Sequence, residues 1–429
     1  MLNRRSLLRS ALAATALAPL SGLAGRPAWA ADTELRLYWW GSQDRANRTL
    51  AVADLFAKSH PGITATGEPV GADYWPKLAT MMVGGSLPDV IQFEPTTLPD
   101  YSRRGAALPL DEFISSGVIR EDRFAPGVDK LCVVDGKAFG VALGLNSFCM
   151  LYDAEVFEKA GIAPPTWGTT WDEIGELAIE VGKAAGRRNF WGMVNGARYN
   201  YVFDVWLHQR GKMLFTAEGQ FGFDVEDARA WYAYWDKLNK AGATVAADVQ
   251  SGDTHQLDTN PLTKGNAAMA FNFSNQFTAY QKTLPQKLGM TTLPIEEAGG
   301  PSGLYFRPAL IWSIGKTTKH AEDAAKFIDF FVNDIEAGKI LGVDRGVPVN
   351  LDVRAAVAPG LTDAERVSVD YIDFIADKVT SYPPPTPVGA TEFDTNVMRP
   401  VADQLLFGTI TVDEAAAKMI ADGKRVMKM

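Results

Sequence analysis

At 429 residues with 47% hydrophobic side chains, the chain can bury a large core and is too long for one ordinary compact domain, so two lobes are expected. Its 51 acidic against 42 basic residues give a formal net charge of -9, which argues against nucleic acid and anionic membrane surfaces as partners. Beyond the N-terminal segment, no run approaches the roughly 18 consecutive apolar residues of a transmembrane helix.

The first 30 residues read as an export signal. Asn3-Arg4-Arg5-Ser6-Leu7-Leu8-Arg9 is a twin-arginine region, an Ala/Leu-rich stretch follows, and Ala28-Trp29-Ala30 is a small-residue cleavage site. The alternative, a buried or anchoring helix, suits the short apolar region less well. Cleavage after Ala30 removes four arginines and no acid, leaving a net charge of about -13. No cysteine stands at the cleavage site to take a lipid anchor, so a soluble periplasmic protein is expected. The two cysteines, Cys132 and Cys149, would meet an oxidising compartment; a disulfide is permitted, and two separate buried thiols are the alternative.

Leu35 to Trp40 reads as a buried strand, and Val52, Leu55 and Phe56 recur at helical spacing until His60-Pro61-Gly62. Ile63 to Thr66 is a second strand and Asp89 to Phe93 a third, with a helix carrying Leu78, Met81 and Met82 between them. This alternation predicts a parallel sheet with right-handed crossovers. Lys130 to Val134 and Lys137 to Val141 flank Asp135-Gly136, a hairpin turn. Gly144-Leu145-Asn146-Ser147 then leads into the strand Phe148 to Tyr152 and is the expected first crossing between lobes. Farther on, Thr170-Trp171-Asp172-Glu173 is a capping box. Glu226 to Ala241 is an amphipathic helix whose Trp231, Tyr232, Tyr234 and Trp235 read as core. Ala321 to Leu341 is expected to bury Phe327, Ile328, Phe331 and Ile335, and Tyr382 to Pro387 is a stiff extended segment.

Several chemistries lack their markers. The four histidines are scattered without H-x-x-H spacing, and C-x-x-C is absent, so no metal site is expected. G-x-S-x-G, G-x-G-x-x-G and phosphate-cradling GK[ST] motifs are missing too, so neither a cofactor nor an enzyme is expected. Carboxylate pairs are too common among 51 acidic residues to carry an argument.

In an open parallel sheet, ligands bind beyond the carboxyl ends of the strands. Gly41 to Asp44 and Glu94 to Thr97 lie at such ends. Their Trp, Ser, Gln, Asp and Glu side chains suit a neutral, hydroxyl-rich ligand, with rings covering its apolar faces. The plainer alternative is that Ser42 or Asp44 caps a helix.

Read in order, LRLYWWGSQD, YWPKLATMMVGGSLPDVIQFE, VDGKAFGVALGLNSFCMLYDAEVFEKAGIAPPTWGTTWDEI, KGNAAMAFNFSNQ and DRGVPVN cover nearly the whole chain after the signal. In these phrases the chain resembles the family 1 extracellular solute-binding proteins of ATP-driven (ABC) sugar importers, which are maltose-binding-protein-like. The resemblance implies a periplasmic-binding-protein-like α/β fold, with two lobes joined by a multi-strand hinge and a ligand cleft between them. Residues 31–143 with about 277–312 would form one lobe, and about 144–276 with about 313–429 the other. It also implies a monomer that binds a small carbohydrate without altering it and hands it to a membrane permease.

Matched phrase by phrase, the resemblance points to Trp40, Ser42, Gln43 and Asp44 in the first loop and to Gln92 and Glu94 after the third strand. It adds Asn146 at the crossing, an amide where maltose-binding protein has a carboxylate. Phe273, Ser274 and Asn275 follow the A-M-x-x strand, and Arg345 opens R-G-V-P. Arg198, Tyr199 and Asn200 in the second lobe and Arg307 at the return crossing complete the set. The arginines Arg198, Arg307 and Arg345 would together select an acidic or sulfonated sugar, unless each is paired within the protein, as Arg345 with Asp344. A phosphorylated sugar or sugar alcohol, a polyamine or iron binder, and a secreted hydrolase or lyase stand as the other readings.

Overall fold

The computed structural model describes residues 33–379 and 381–429, so the expected export signal lies outside the described residues. In chain order the strands are β1 (Thr33–Trp40), β2 (Ile63–Val70), β3 (Val90–Phe93), β4 (Val133–Val134), β5 (Lys137–Ala138), β6 (Val141–Ala142) and β7 (Gly144–Asn146). They continue with β8 (Phe148–Asp153), β9 (Trp191–Met193), β10 (Ala267–Phe273), β11 (Leu288–Thr291), β12 (Arg307–Pro308), β13 (Ile311–Ile314) and β14 (Val347–Pro348).

The first lobe is built on a sheet of order β2-β1-β3-β13-β6, in which β1 runs parallel to both β2 and β3. Leu35, Leu37 and Trp39 of β1 are buried, and the helix Gln43–Ser59 lays Val52, Ala53 and Phe56 against the sheet. The central strand β3 is buried along its whole length, whereas the edge strand β2 alternates buried or half-buried with exposed residues. At the predicted hairpin, Asp135 and Gly136 have φ values of 51 and 79°, the pair of positive angles that a two-residue turn between twisted strands needs.

The second lobe holds the sheet β11-β8-β10-β9. The helix Trp171–Ala184 starts at the predicted capping box, Thr170 with Glu173. The helix Val225–Lys240 buries Trp231, Tyr232 and Trp235 completely, with the Trp231 and Trp235 rings 5.5 Å apart, so these aromatics are core.

Between the lobes runs a small antiparallel sheet, β12-β7-β14, each member a crossing of the chain. β14 approaches so closely at Gly144 that a Cβ there would sit 2.3 Å from the Arg345 carbonyl oxygen. Only glycine admits the contact.

Three sequence expectations are corrected. β11 and the helix Phe277–Thr283 belong to the second lobe, whereas β13 joins the first sheet, so the return crossing lies at β12 and residues 277–306 are not in the first lobe. The helices Ala321–Asn333 and Ile335–Leu341 pack on the first lobe rather than the second. They are two helices because Asp334 caps the second, accepting from the Ala337 N–H at 2.8 Å, and this turns Ile335 outward at 42% exposure. Of the two possibilities left open for the cysteines, the structure shows separate thiols: Cys132 and Cys149 are free and buried, and burial pushes both well above their usual range. No described helix is long and apolar enough to cross a membrane.

Candidate functional site

A cavity of about 470 Å³ lies between the lobes beside the hinge. Its floor is set by strand register. β8 and β10 run antiparallel with Phe148 directly opposite Phe273, which brings two aromatic rings together at the hinge end of the second sheet. Their centroids are 5.3 Å apart, and Tyr201 stacks on Phe148 at 5.0 Å with a 15° tilt. Tyr305 meets Phe148 edge-on at 5.1 Å. Opposite this shelf, the first lobe contributes Pro95, Thr96, Leu98, Lys130, Leu131 and Val133. The segment Tyr382–Thr386 closes one side, as an extended proline strap.

The polar groups of the wall are mostly committed. Asp204 accepts from the Leu214 N–H at 2.9 Å and the Tyr305 hydroxyl at 2.5 Å. Tyr199 donates to Asp253, and its ring stacks on His255 at 4.2 Å. Burial holds the Tyr199, Tyr201 and Tyr305 hydroxyls well above the ordinary phenol range, so they remain neutral. Burial, with Arg399 and Arg198 nearby, pulls His255 down to about 3, so this ring is uncharged at neutral pH. Arg399 pairs with Asp394, whose carboxyl is raised by burial. Asp394 Oδ1 and Arg399 Nε have no hydrogen-bond partner among the described residues. Arg307 forms no ion pair with any described residue; its guanidinium lies over the Phe273 and Phe148 rings at 5.1 and 5.6 Å. Among the described residues, no three His, Cys, Asp or Glu side chains gather closely enough to hold a metal ion.

Of the residues expected from sequence, Tyr199, Asn200, Phe273 and Arg307 line the cavity. The others lie elsewhere. Ser42 is the N-cap of its helix, accepting from the Arg45 N–H at 3.2 Å, which gives the capping role to Ser42 rather than Asp44. Gln43 donates to Asn47 at 3.0 Å and Asp44 pairs with Arg48 at 2.8 Å, both on the exposed face. Trp40 packs on Tyr74 and Trp75 at 4.7 and 5.4 Å. Gln92 is fully buried and donates to the Trp40 carbonyl at 3.2 Å. The Glu94 carbonyl caps the turn into Leu98–Arg103, and it is the neighbours Pro95 and Thr96 that reach the cavity.

Arg345, 5% exposed, donates to Thr49 at 2.8 Å and Gln92 at 3.2 Å and so joins the first helix and β3 to the hinge. Arg198 is buried against Asp403 at 3.2 Å and the Gln250 carbonyl. Ser274 Oγ accepts from the Ser147 N–H at 3.1 Å, and Asn275 is exposed beyond the wall. Asn146 pairs across the hinge with Arg307, and its buried Oδ1 has no hydrogen-bond partner among the described residues. Phe148, Tyr201, Tyr305, Lys130 and the strap line the cavity without being among the residues expected from sequence. The aromatics in β8 and β10 and the proline run were visible, but nothing local brings them together.

The profile of the family described as bacterial extracellular solute-binding protein matches residues 41–337. A solved family 1 extracellular solute-binding protein from Alicyclobacillus acidocaldarius is 26% identical, covering 92% of this chain and 99% of its own, with a TM-score of 0.78. A periplasmic oligogalacturonide-binding protein from Yersinia enterocolitica, 24% identical, shares the fold at a TM-score of 0.77 over 92% of this chain and 99% of that one. An arabinooligosaccharide-binding protein of Bacillus subtilis is 22% identical over 64% of this chain and 63% of its own.

Proposed function

Because the chain belongs to the bacterial extracellular solute-binding proteins, we propose that it captures a sugar or small oligosaccharide between its lobes and delivers it, unaltered, to the permease of an ABC importer. The observation that carries this reading is the aromatic shelf of Phe148, Tyr201 and Phe273 inside a cavity shared by both lobes. Sugar rings have apolar C–H faces and hydroxyl edges. Rings below and polar side chains in the wall, such as Thr96, Asn200 and Arg307, meet both needs. The cavity falls in the size range of small-molecule sites. Contacts that both lobes complete only when closed would drive closure about the three-strand hinge. The arabino- and galacturono-oligosaccharide ligands named for two similar proteins fit this class.

We further propose export by the twin-arginine route to the periplasm, as a soluble monomer without a lipid anchor. Titration of the purified protein with arabinose, galactose and galacturonate monomers and oligomers should give saturable binding and a smaller radius of gyration by X-ray scattering. An unchanged sugar should be recovered afterward. Product formation would favour the hydrolase reading, and absence of binding across the panel would end the carbohydrate reading.

A further inference from the structure

We propose that the sugar this cleft takes carries an acidic group, a carboxylate or sulfonate, and that Arg307 receives it with help from Lys130. This rests on the carbohydrate reading and narrows its ligand class.

The cavity wall holds more cations than its own acids engage. The acidic side chains that line it are Asp204 and Asp394, and the protein already engages both: Asp204 through Leu214 and Tyr305, Asp394 through Arg399. His255 adds no charge. Arg307 and Lys130 remain as cations with no ion pair among the described residues. The partly buried Arg307 guanidinium rests on the Phe148 and Phe273 rings, which hold it without neutralising it. Lys130 enters from the first lobe and sits 4.7 Å from the Tyr382 ring centroid.

A cation against aromatic rings in a cleft that closes loses hydration, and an anion in the same cleft restores the balance. The planar fork of a guanidinium presents two parallel N–H donors, the geometry a carboxylate or sulfonate accepts. The three arginines singled out from sequence therefore differ in kind. Arg198 and Arg345 are internally bonded, and Arg307 is left for a ligand. Its backbone anchors it: β12 pairs Arg307 with Asn146 at the hinge, a rigid position that both lobes share.

The test is calorimetric titration with matched pairs: galacturonate against galactose, glucuronate against glucose, and sulfoquinovose against glucose. The wild type should prefer at least one acidic member by about 10- to 100-fold, as expected for a charge-assisted hydrogen bond pair. The preference should shrink as salt is raised. Arg307→Gln should abolish it, lowering the affinity for the acidic member far more than that for its neutral partner. Lys130→Gln, an exposed position where folding is not at stake, should reduce the preference in part.

Carboxylate and sulfonate arms separate the two sources of the anion. Neutral sugars binding as tightly as their acidic partners would overturn this inference and leave the carbohydrate reading standing, as would an unchanged preference in both variants. Binding of none of these sugars would remove both.

Discussion

His255 makes a quantitative prediction about acid sensitivity. Its pKa is pulled from 6.5 down to about 3 by burial and by the cations Arg399 and Arg198. The native state therefore refuses a proton that the unfolded chain accepts. Above about pH 6.5 both states are neutral there and the residue has no pH effect; below it, stability falls by about 1.4 kcal/mol per pH unit until the native value is reached. Between about pH 7 and pH 4.5 the wild type should lose about 2.7 kcal/mol through this residue alone.

His255→Asn is the informative variant. The backbone at this position has φ of 62°, a conformation asparagine tolerates better than most residues. The variant gives up the stack on Tyr199, about 1 kcal/mol at neutral pH, and gains independence from the titration. Asp253, which accepts the residue 255 backbone N–H at 2.7 Å, and both arginines are common to the two proteins and cancel in the comparison. Urea titrations at both pH values and constant ionic strength should find the wild type more stable at pH 7 and less stable at about pH 4.5. A wild-type-minus-variant difference that moves by less than about 0.5 kcal/mol between the two would refute the reasoning.

Arg345→Ala should destabilise the protein by about 2–4 kcal/mol by stranding Thr49 and Gln92, with ligand affinity unchanged in protein that remains folded; a Kd shift without a stability loss would place it at the ligand instead. Gln43→Ala, on an exposed helix face, should leave both stability and affinity within experimental scatter, measured by thermal shift and calorimetry. Gly127→Ala should destabilise by about 1 kcal/mol or more, because φ there is 81° and the new Cβ would fall 2.0 Å from the Tyr382 hydroxyl oxygen; an unchanged melting temperature would mean the strap yields freely.

Much of the architecture was legible because it is written locally. The first three strands announce themselves as apolar runs separated by a helical repeat, and the Thr170 capping box spans only four residues. The return crossing was misread for the opposite reason. β12 and β14 are two residues long and each contains a proline, too short for any periodicity to register. The site suffered from sequence distance. Phe148 and Phe273 are neighbours only through register, and Thr49 meets Arg345 across 296 positions. Conversely, Ser42, Gln43 and Asp44 carry the side chains of a binding loop but are engaged by Arg45, Asn47 and Arg48 of their own helix, as polar residues at a helix start commonly are.

The small sheet β12-β7-β14 has a kinetic consequence. Three tethers bonded edge to edge resist torsion and sideways shear far more than they resist flexing, because only flexing leaves the lateral ladder intact. The two halves are thereby left with a single easy angular swing. Guest departure should then follow one exponential, its rate governed by that swing, whichever end of the guest lets go first.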